Sequence, residues 1–167
     1  MMSQPEELYL ALDKPRIAFY DLETTGLNYY HDLMIEAAAE VDGKKFSKVC
    51  NIGDKRLPEI ITKLTGITEE ILKDAISENQ LIRKFCHFVG RTRSPVYLIA
   101  HNNDGFDKII LQNEYIFSKI SLPSWDYLDT LKIARTVLPE LGNHKLDTLK
   151  EYYLPYLLPL LTYNYPC

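Results

Sequence analysis

The sequence has few cysteines, and none are spaced as a close pair or as metal ligands. Its three cysteines are Cys50, Cys86 and Cys167 in a chain of 167 residues. This scarcity argues against a disulfide-stapled secreted domain and against a cysteine-based metal site. The first seven residues also lack the basic segment that opens a signal peptide. We therefore expect a reduced cytoplasmic or nuclear setting rather than secretion.

The chain also lacks an excess of positive charge and any long hydrophobic run. Its formal net charge is −4 and its pI is near 5.6, so no global field attracts nucleic acid non-specifically. The most apolar stretch, Tyr152–Leu161, is too short to cross a bilayer and contains two prolines. No internal repeat or Gly/Ser linker divides the chain, so we expect one domain with a sizeable core.

Hydrophobic patterning predicts a mixed α/β domain. Predicted strands cover Arg16–Asp21, Leu33–Val41, Lys44–Ile52, Pro95–Ala100 and a short segment near Trp125–Leu128. Predicted helices cover Glu59–Leu64, Glu69–Lys73, Glu78–Val89, Phe106–Phe117, Thr130–Leu138 and a last segment that begins near His144. Asp42-Gly43 between two apolar runs is typical of a hairpin turn. An antiparallel meander followed by alternating helices and strands predicts a mixed sheet with helices on its faces.

Two acidic residues follow the first predicted strand. Asp21 and Glu23 come after the apolar run Ile17–Tyr20, just before a turn at Gly26. Because side chains alternate between the faces of a strand, the two carboxylates point the same way, about 7 Å apart. They repel each other and are costly to desolvate, so a hard divalent cation is a natural partner. The alternative is a pair of solvated acids at the end of a strand.

A third acid lies at a second junction between a strand and a helix. The segment His101–Asp107 follows the apolar run Val96–Ala100 and opens a helical pattern. Asp107 therefore lies where side chains converge on the end of the first strand. The alternative is an acid that only stabilises the start of its helix.

Five segments between Arg16 and Tyr153, in unbroken order, resemble the DEDD superfamily of 3′–5′ exonucleases. The likeness is to the branch that contains the proofreading subunit of bacterial replicative DNA polymerase. Asp21–Leu27 matches its motif Asp-x-Glu-Thr-Thr-Gly-Leu, and Ala100–Asp107 matches Ala-His-Asn-x3-Phe-Asp. The other similar segments are Ile61–Thr68, where Thr65 replaces the family's histidine, Asp129–Arg135 and Leu146–Leu149.

The resemblance implies a ribonuclease-H-like mixed five-stranded sheet flanked by helices. It also implies that Asp21, Glu23 and Asp107 are catalytic and hold two Mg²⁺ or Mn²⁺ ions. Residues expected to contact the 3′-terminal nucleotide are Leu22, Thr24, Leu27, Thr65, Asn102 and Phe106. A core phenylalanine is the alternative for Phe106, and a turn cap is the alternative for Asn102. DNA is favoured over RNA as the substrate, a polymerase is a possible partner, and no membrane is involved.

The last motif of this branch, His-x4-Asp, does not occur in the sequence. The residues five positions after the four histidines are Glu36, Thr92, Phe106 and Leu149. The sister branch uses Tyr-x3-Asp, and its single match, Tyr9 to Asp13, precedes the first motif. The general base and the fourth metal carboxylate of the family therefore have no counterpart. We expect His144 to be a polar residue at a helix start. Asp126, Asp129 and Asp147 could each be imagined as a fourth ligand, but a cap or a turn is expected for Asp129 and Asp147.

These observations predict three segments. They are an N-terminal tail over residues 1–15, an incomplete exonuclease domain over residues 16–153, and an atypical apolar tail over residues 154–167. The tail is expected to be a C-terminal truncation whose prolines prevent a continuous helix.

Three functions stay open. The first is a 3′–5′ exonuclease that releases 5′ mononucleotides from single strands by two-metal-ion hydrolysis. The second is a catalytically inactive exonuclease-like domain that binds nucleic acid or a partner. The third is a truncated relic.

Overall fold

A mixed five-stranded sheet forms the centre of the molecule. The computed structural model describes residues 15–90, 95–121 and 123–161, with side chains described as far as Tyr156. The strands are β1 (Arg16–Thr24), β2 (Met34–Val41), β3 (Lys44–Val49), β4 (Val96–Ala100) and β5 (Trp125–Asp129). The helices are α1 (Glu59–Thr65), α2 (Glu69–Lys73), α3 (Glu78–Val89), α4 (Asp107–Phe117), α5 (Thr130–Val137) and α6 (Leu146–Leu161). Two parts of the predicted tails, residues 1–14 and 162–167, lie outside the described residues. The first part includes Tyr9 and Asp13, the single Tyr-x3-Asp match.

The strand order β3-β2-β1-β4-β5 puts β1 at the middle of the sheet. Strands β1, β2 and β3 are antiparallel, whereas β4 and β5 run parallel to β1. The turn between β2 and β3 has φ of 52° at Asp42 and 73° at Gly43. This left-handed pair suits the tight turn of a right-twisted hairpin. Because β1, β4 and β5 are parallel, their carboxyl ends meet at one edge of the sheet.

Helix α3 begins and ends at the residues that the sequence pattern predicts. Its N-cap residue is Ser77, whose hydroxyl accepts a hydrogen bond from the Gln80 N–H, while the Gln80 side chain bonds back to the Ser77 N–H. This reciprocal capping box satisfies two backbone donors that a helix start leaves unpaired. The apolar stripe of α3 packs into the core beneath the sheet, through Leu81, Ile82, Phe85, Cys86 and Val89.

The two faces of the sheet differ. Along β1, Ala18, Tyr20 and Leu22 face the core that α3 and α4 cover. The opposite face carries Ile17 and Phe19, which are 47% and 57% exposed. The described residues therefore leave this apolar face of the sheet open to solvent, and Asp21 and Glu23 lie on it by the alternation of the strand.

The expectation that prolines would prevent a continuous helix near the end of the chain is wrong. Helix α6 runs from Leu146 to Leu161 through Pro155 and Pro159. Each proline lacks an N–H, so two hydrogen bonds of the helix are missing, at a cost of about 3 kcal/mol for each proline. The helix nevertheless continues through both positions. No helix among the described residues is both long and apolar enough to span a membrane.

Candidate active site

Three acidic residues lie near one another at the end of β1, on the open face of the sheet. Asp21 and Glu23 lie side by side along β1, and the pairing register puts Glu36 of β2 directly opposite Glu23. Partial burial raises the pKa of Asp21, and the charge of Glu36 adds to that increase. Burial also raises the pKa of Glu23, and the charges of Asp21 and Glu36 raise it further. These acids therefore destabilise one another's charged forms.

Glu36 was not among the sequence-predicted site residues. Its Oε1 accepts a hydrogen bond of 2.6 Å from the Ser47 hydroxyl on β3. The alternation of Glu36 and Glu40 along β2 was the available signal, since it puts both acids on one face. The pairing register across the loop between β1 and β2 was needed to put Glu36 next to Glu23.

Asp107 joins this group from the first turn of α4. It is 4% exposed, and its Oδ1 accepts a hydrogen bond of 3.1 Å from the backbone N–H of Leu22. The carboxyl group is thus fixed against β1 at the residue between Asp21 and Glu23. Burial raises the pKa of Asp107 to about 7, with further increases from the charges of Asp21 and Glu23. The hydrogen bonds from the backbone of Leu22 and of Asp107 itself act in the opposite direction.

A buried asparagine builds the turn that brings Asp107 to this position. Asn103 is fully buried, and its amide nitrogen donates to the carbonyl oxygens of Leu98 at 3.3 Å and Leu128 at 2.9 Å. Its side-chain oxygen accepts a hydrogen bond from the Tyr20 hydroxyl at 2.5 Å. One side chain therefore ties the turn after β4 to β1 and β5. Sequence reasoning did not single out Asn103.

Asp129 supports the same turn from the end of β5. Its carboxylate accepts hydrogen bonds from the backbone N–H groups of Asn102 and Asp104, each at 3.1 Å. It also accepts one from the N–H of Leu131, at 2.9 Å, as the N-cap of α5. The expectation that Asp129 is a cap is confirmed.

Replacing Asn103 with alanine is expected to lower the free energy of unfolding by at least about 3 kcal/mol. The change leaves the Tyr20 hydroxyl and two carbonyl groups without their partner in the interior, and unsatisfied buried groups cost about 1–3 kcal/mol each. Urea denaturation measures the loss. The double-mutant cycle with Tyr20→Phe should show a coupling of about 1 kcal/mol between the two side chains. Additive effects would contradict the direct contact.

The six predicted substrate-contact residues differ in what they present to solvent. Leu27 is 83% exposed, and Asn102 is exposed with a left-handed φ of 64°. Leu22 and Thr24 are buried, and the Thr24 hydroxyl bonds to the Gly26 carbonyl. Leu27 and Asn102 are therefore available to a ligand through their side chains, whereas Leu22 and Thr24 are not.

The remaining two contact residues have structural partners. The Thr65 hydroxyl donates to the Ile61 carbonyl at 2.9 Å and accepts from the Ile67 N–H at 3.1 Å, so it closes the end of α1. Phe106 is half-buried and packs against the main core. Both arrangements account for these residues without a ligand.

His144 makes a structural contact. Its Nε2 donates a hydrogen bond of 2.9 Å to the backbone carbonyl of Leu138, just after α5. This bond orients the ring toward the end of α5 and not toward the carboxylates of β1. The contact agrees with the expectation that His144 is not a replacement base.

The donor set at the end of β1 suits a divalent cation chemically, although it is not closed around one. All the donors are carboxylate oxygens, which Mg²⁺ and Mn²⁺ prefer. None of the ion pairs recorded in the described part of the chain involves Asp21, Glu23, Glu36 or Asp107. Within residues 15–90, 95–121 and 123–161, no three Asp, Glu, His or Cys side chains form a ready metal cluster. The carboxylates would have to rotate to share an ion.

Replacing Asp107 with asparagine is expected to stabilise the metal-free protein at alkaline pH. The ordinary pKa of 3.8 rises to about 7 in the folded protein, so between these values the folded chain holds a proton that the unfolded chain releases. The free energy of unfolding therefore falls as the pH rises through this window. The variant lacks that decrease, and its Oδ1 still accepts from Leu22.

The difference should appear as a change in relative stability between pH 5 and pH 8. Urea denaturation in EDTA should show the variant gaining about 3 kcal/mol on the natural chain over this range. The buried Glu114 contributes a slope of the same sign to both proteins, so it cancels in the comparison. Identical pH slopes would contradict a buried, charge-repelled Asp107.

A mixed five-stranded sheet, flanked by helices and carrying carboxylates at the end of its central strand, defines a ribonuclease-H-like nuclease class. The chain belongs to the exonuclease family: its residues 18–156 match the family model RNase_T, described as "Exonuclease". This membership puts it in the DEDD-type 3′–5′ exonuclease superfamily and confirms the resemblance found in the sequence.

Several curated relatives of the chain are bacterial proteins described as "DNA polymerase III PolC-type". The protein of Latilactobacillus sakei is 33% identical over 146 residues, which cover 85% of this chain and 10% of that protein. The Bacillus subtilis protein is 34% identical over 146 residues, covering 83% of this chain and 10% of the relative. The chain therefore spans about a tenth of the length of these relatives.

Solved structures of Escherichia coli exonuclease I share the fold. The complex of that enzyme with a dA16 oligonucleotide has a TM-score of 0.69 at 19% identity, covering 83% of this chain and 36% of the enzyme chain. Another structure, described as exonuclease I, has a TM-score of 0.69 at 18% identity and covers 83% of this chain and 35% of that chain. The predicted ribonuclease-H-like architecture is confirmed.

Proposed function

We propose that this chain is a 3′–5′ exonuclease domain that removes 5′ mononucleotides from single-stranded nucleic acid, with DNA as the preferred substrate. The observation that carries the proposal is the hydrogen bond from the Leu22 N–H to Asp107 Oδ1. It holds the third carboxyl group beside the strand that bears Asp21 and Glu23, in a chain of the exonuclease family. The similarity of this chain to part of the PolC-type polymerases supports a proofreading role with a polymerase partner.

Asp21, Glu23 and Asp107 are the residues that would hold Mg²⁺ or Mn²⁺, with Glu36 as an additional acid at the rim. Bound divalent ions supply an activated water and stabilise charge on the leaving oxygen in phosphodiester hydrolysis. The chain's own residues orient the substrate: Leu27 offers an exposed apolar side chain, and Asn102 an exposed amide. The raised pKa of Asp107 means that its carboxyl group must lose a proton before it binds a cation.

A second candidate function is binding of a nucleic-acid 3′ end without efficient turnover. The observation that favours it is the lack of His-x4-Asp in these 167 residues. A general base contributes about 10²–10⁴ in rate, so the chain acting alone should be slow by that factor. Binding and turnover use the same edge of the sheet, and activity measurements separate them.

Digestion of an oligonucleotide labelled at its 5′ end distinguishes these functions. We expect a ladder of products that shortens stepwise from the 3′ end, with release of 5′ mononucleotides, when Mn²⁺ is present. EDTA should stop the reaction because it removes the divalent ions that activate the water and stabilise the leaving oxygen, and the carboxylates at the end of β1 cannot replace them. An oligonucleotide blocked at its 3′ end is the matched control and should stay intact.

The products and the bound fraction decide between the candidates. Internal cuts or digestion in EDTA would contradict the exonuclease proposal. A chain that binds the oligonucleotide, measured by fluorescence anisotropy, but produces no ladder would support the second candidate.

A further inference from the structure

A second pair of acidic side chains lies away from the end of β1. Glu114, on α4, is 5% exposed, and its Oε2 is buried with no hydrogen-bond partner in the described part of the chain. Glu78, the first residue of α3, lies within hydrogen-bonding reach of the Glu114 carboxyl group. Glu114 lies seven positions after Asp107, which is about 10 Å along α4. The proposed nuclease function does not use this pair.

The pair lines a cavity of about 400 Å³ between the loop that follows β1, the loop around Lys55 and the helices α3 and α4. This volume is in the range of small-molecule sites, which begin near about 300 Å³. Apolar surface in the cavity comes from Tyr30, Ile110 and Phe117. The cavity thus combines an acidic end with an apolar wall.

The acidic pair has no cationic partner in the described part of the chain. No ion pair among the described residues includes Glu78 or Glu114. Lys55 also lines the cavity, but it is exposed and takes part in none of these ion pairs. A buried carboxyl oxygen without a partner is costly, so a donor in the cavity would relieve that cost. The chemistry of the cavity therefore calls for a hydrogen-bond donor that is positively charged.

The number of donors favours an organic cation over a metal ion. No three Asp, Glu, His or Cys side chains of the described residues are grouped to hold a metal, and Mg²⁺ and Ca²⁺ need six or more oxygen ligands. An ammonium group needs only three acceptors, and its alkyl chain can pack on apolar side chains. We propose that the cavity binds a protonated primary alkylamine, whose ammonium group donates to Glu114 and Glu78 while its methylenes pack against Ile110 and Phe117.

Binding of the amine is coupled to release of a proton. Burial, followed by the hydrogen bond and the charge of Glu78, raises the pKa of Glu114 to about 9. At neutral pH the Glu114 carboxyl group therefore loses its proton to solvent when the ammonium, which keeps its own, enters. The affinity should rise up to about tenfold per pH unit between pH 7 and pH 9, because alkylamines stay protonated to about pH 10. The other titratable groups that line the cavity are Lys55, His31, Asp32, Tyr29 and Tyr30. Cys50 also lies close to the pair, because the charges of Glu78 and Glu114 add to the effect of burial in raising the pKa of its thiol.

Calorimetric titration of the 167-residue protein with putrescine at pH 8.5 tests the proposal. We expect saturable 1:1 binding, weakened at least tenfold at pH 7, with a proton released into the buffer. Two buffers of different ionisation enthalpy measure that proton. The alkylamine could be a free diamine or the lysine side chain of a partner protein. A parallel titration with Nα-acetyl-lysine methylamide distinguishes them: tighter binding of putrescine indicates a free diamine, and tighter binding of the lysine derivative indicates a partner's side chain.

Two variants locate the site. Glu114→Gln keeps the side chain's shape but removes its charge, and it should weaken putrescine at least tenfold. Glu70→Gln removes the same charge from an exposed helical position and should bind as the natural chain does.

Three results would overturn the proposal. They are no binding of either amine at either pH, equal binding by Glu114→Gln and the natural chain, and binding only after Lys55→Gln. The third would identify Lys55 as the occupant. If Glu114→Gln fails to fold, the pH dependence and the proton released by the natural chain still decide the question.

Discussion

Replacing Asp21 with asparagine is expected to abolish detectable Mn²⁺ binding and to lower nuclease activity by at least about 10³-fold. Asp21 lies next to Glu23, and its charge acts on both Glu23 and Asp107. Removing it therefore reduces the negative charge that attracts a cation to either neighbour. A loss of about 4 kcal/mol in transition-state stabilisation corresponds to that factor in rate. Calorimetric titration with Mn²⁺ and single-turnover digestion measure the two effects.

Asp126→Asn is the matched control for this experiment. Asp126 is an exposed aspartate of β5 in the same sheet, and the register β4–β5 aligns it with Tyr97 rather than with the site. It loses the same charge and should keep full Mn²⁺ affinity and activity. Equal Mn²⁺ affinity in the natural chain and Asp21→Asn would remove the metal assignment at the end of β1.

Local patterns predicted those parts of the fold that local interactions determine. Asp42-Gly43 could be predicted as a hairpin because both residues tolerate the positive φ that this turn requires. Helix α3 could be predicted to its first and last residue because its apolar periodicity and its cap are both encoded within a short segment. The common face of Asp21 and Glu23 follows from the two-residue period of a strand alone.

Contacts between distant segments could not be predicted in this way. Glu36 reaches Glu23 through a register that depends on the loop between β1 and β2, and that loop has no turn signature that fixes it. Asn103 connects three strands, yet in the sequence it is one of two adjacent asparagines, and nothing local shows which is buried. Glu78 and Glu114 meet only because α3 and α4 pack on the same face of the sheet. Tertiary packing decides all three.

Helix α6 shows the opposite error, in which a local rule was applied too strictly. The prolines at positions 155 and 159 weaken the helix, but they do not end it. A proline removes one donor and strains one turn, but the turns on either side of it can keep their helical geometry. Proline therefore identified a weak helix and not a boundary.

The open face of the sheet connects stability with activity at this site. Phe19 on β1 is aligned with Leu128 on β5 through Ile99 of β4. Ile17 lies two residues before Phe19 on the same face, and Ile17, Phe19 and Leu128 remain exposed. Asp21 follows Phe19 on the same face of β1. A helix that covered this apolar patch would therefore bring its own side chains beside the carboxylates, and it would bury surface that now contacts water.

Replacing residues 154–167 with a helix that carries His-x4-Asp and docks on this face should raise nuclease activity by about 10²–10⁴-fold. The added aspartate provides a further carboxylate beside Asp21, and the added histidine can accept the proton of the attacking water. Burial of Ile17 and Phe19 should also raise the free energy of unfolding, measured by urea denaturation. Initial rates on a 5′-labelled oligonucleotide measure the gain in activity.

A graft of the same helix in which the histidine and the aspartate are both alanine separates the two effects. It should reproduce the stabilisation, since the apolar contacts are unchanged, but it should leave the rate at the level of the natural chain. If the natural 167-residue chain already hydrolyses at the rate of the full graft, then another residue supplies the base. His144 would be tested first, although its Nε2 is bonded to the Leu138 carbonyl, because it follows the helix that Asp129 anchors to the site.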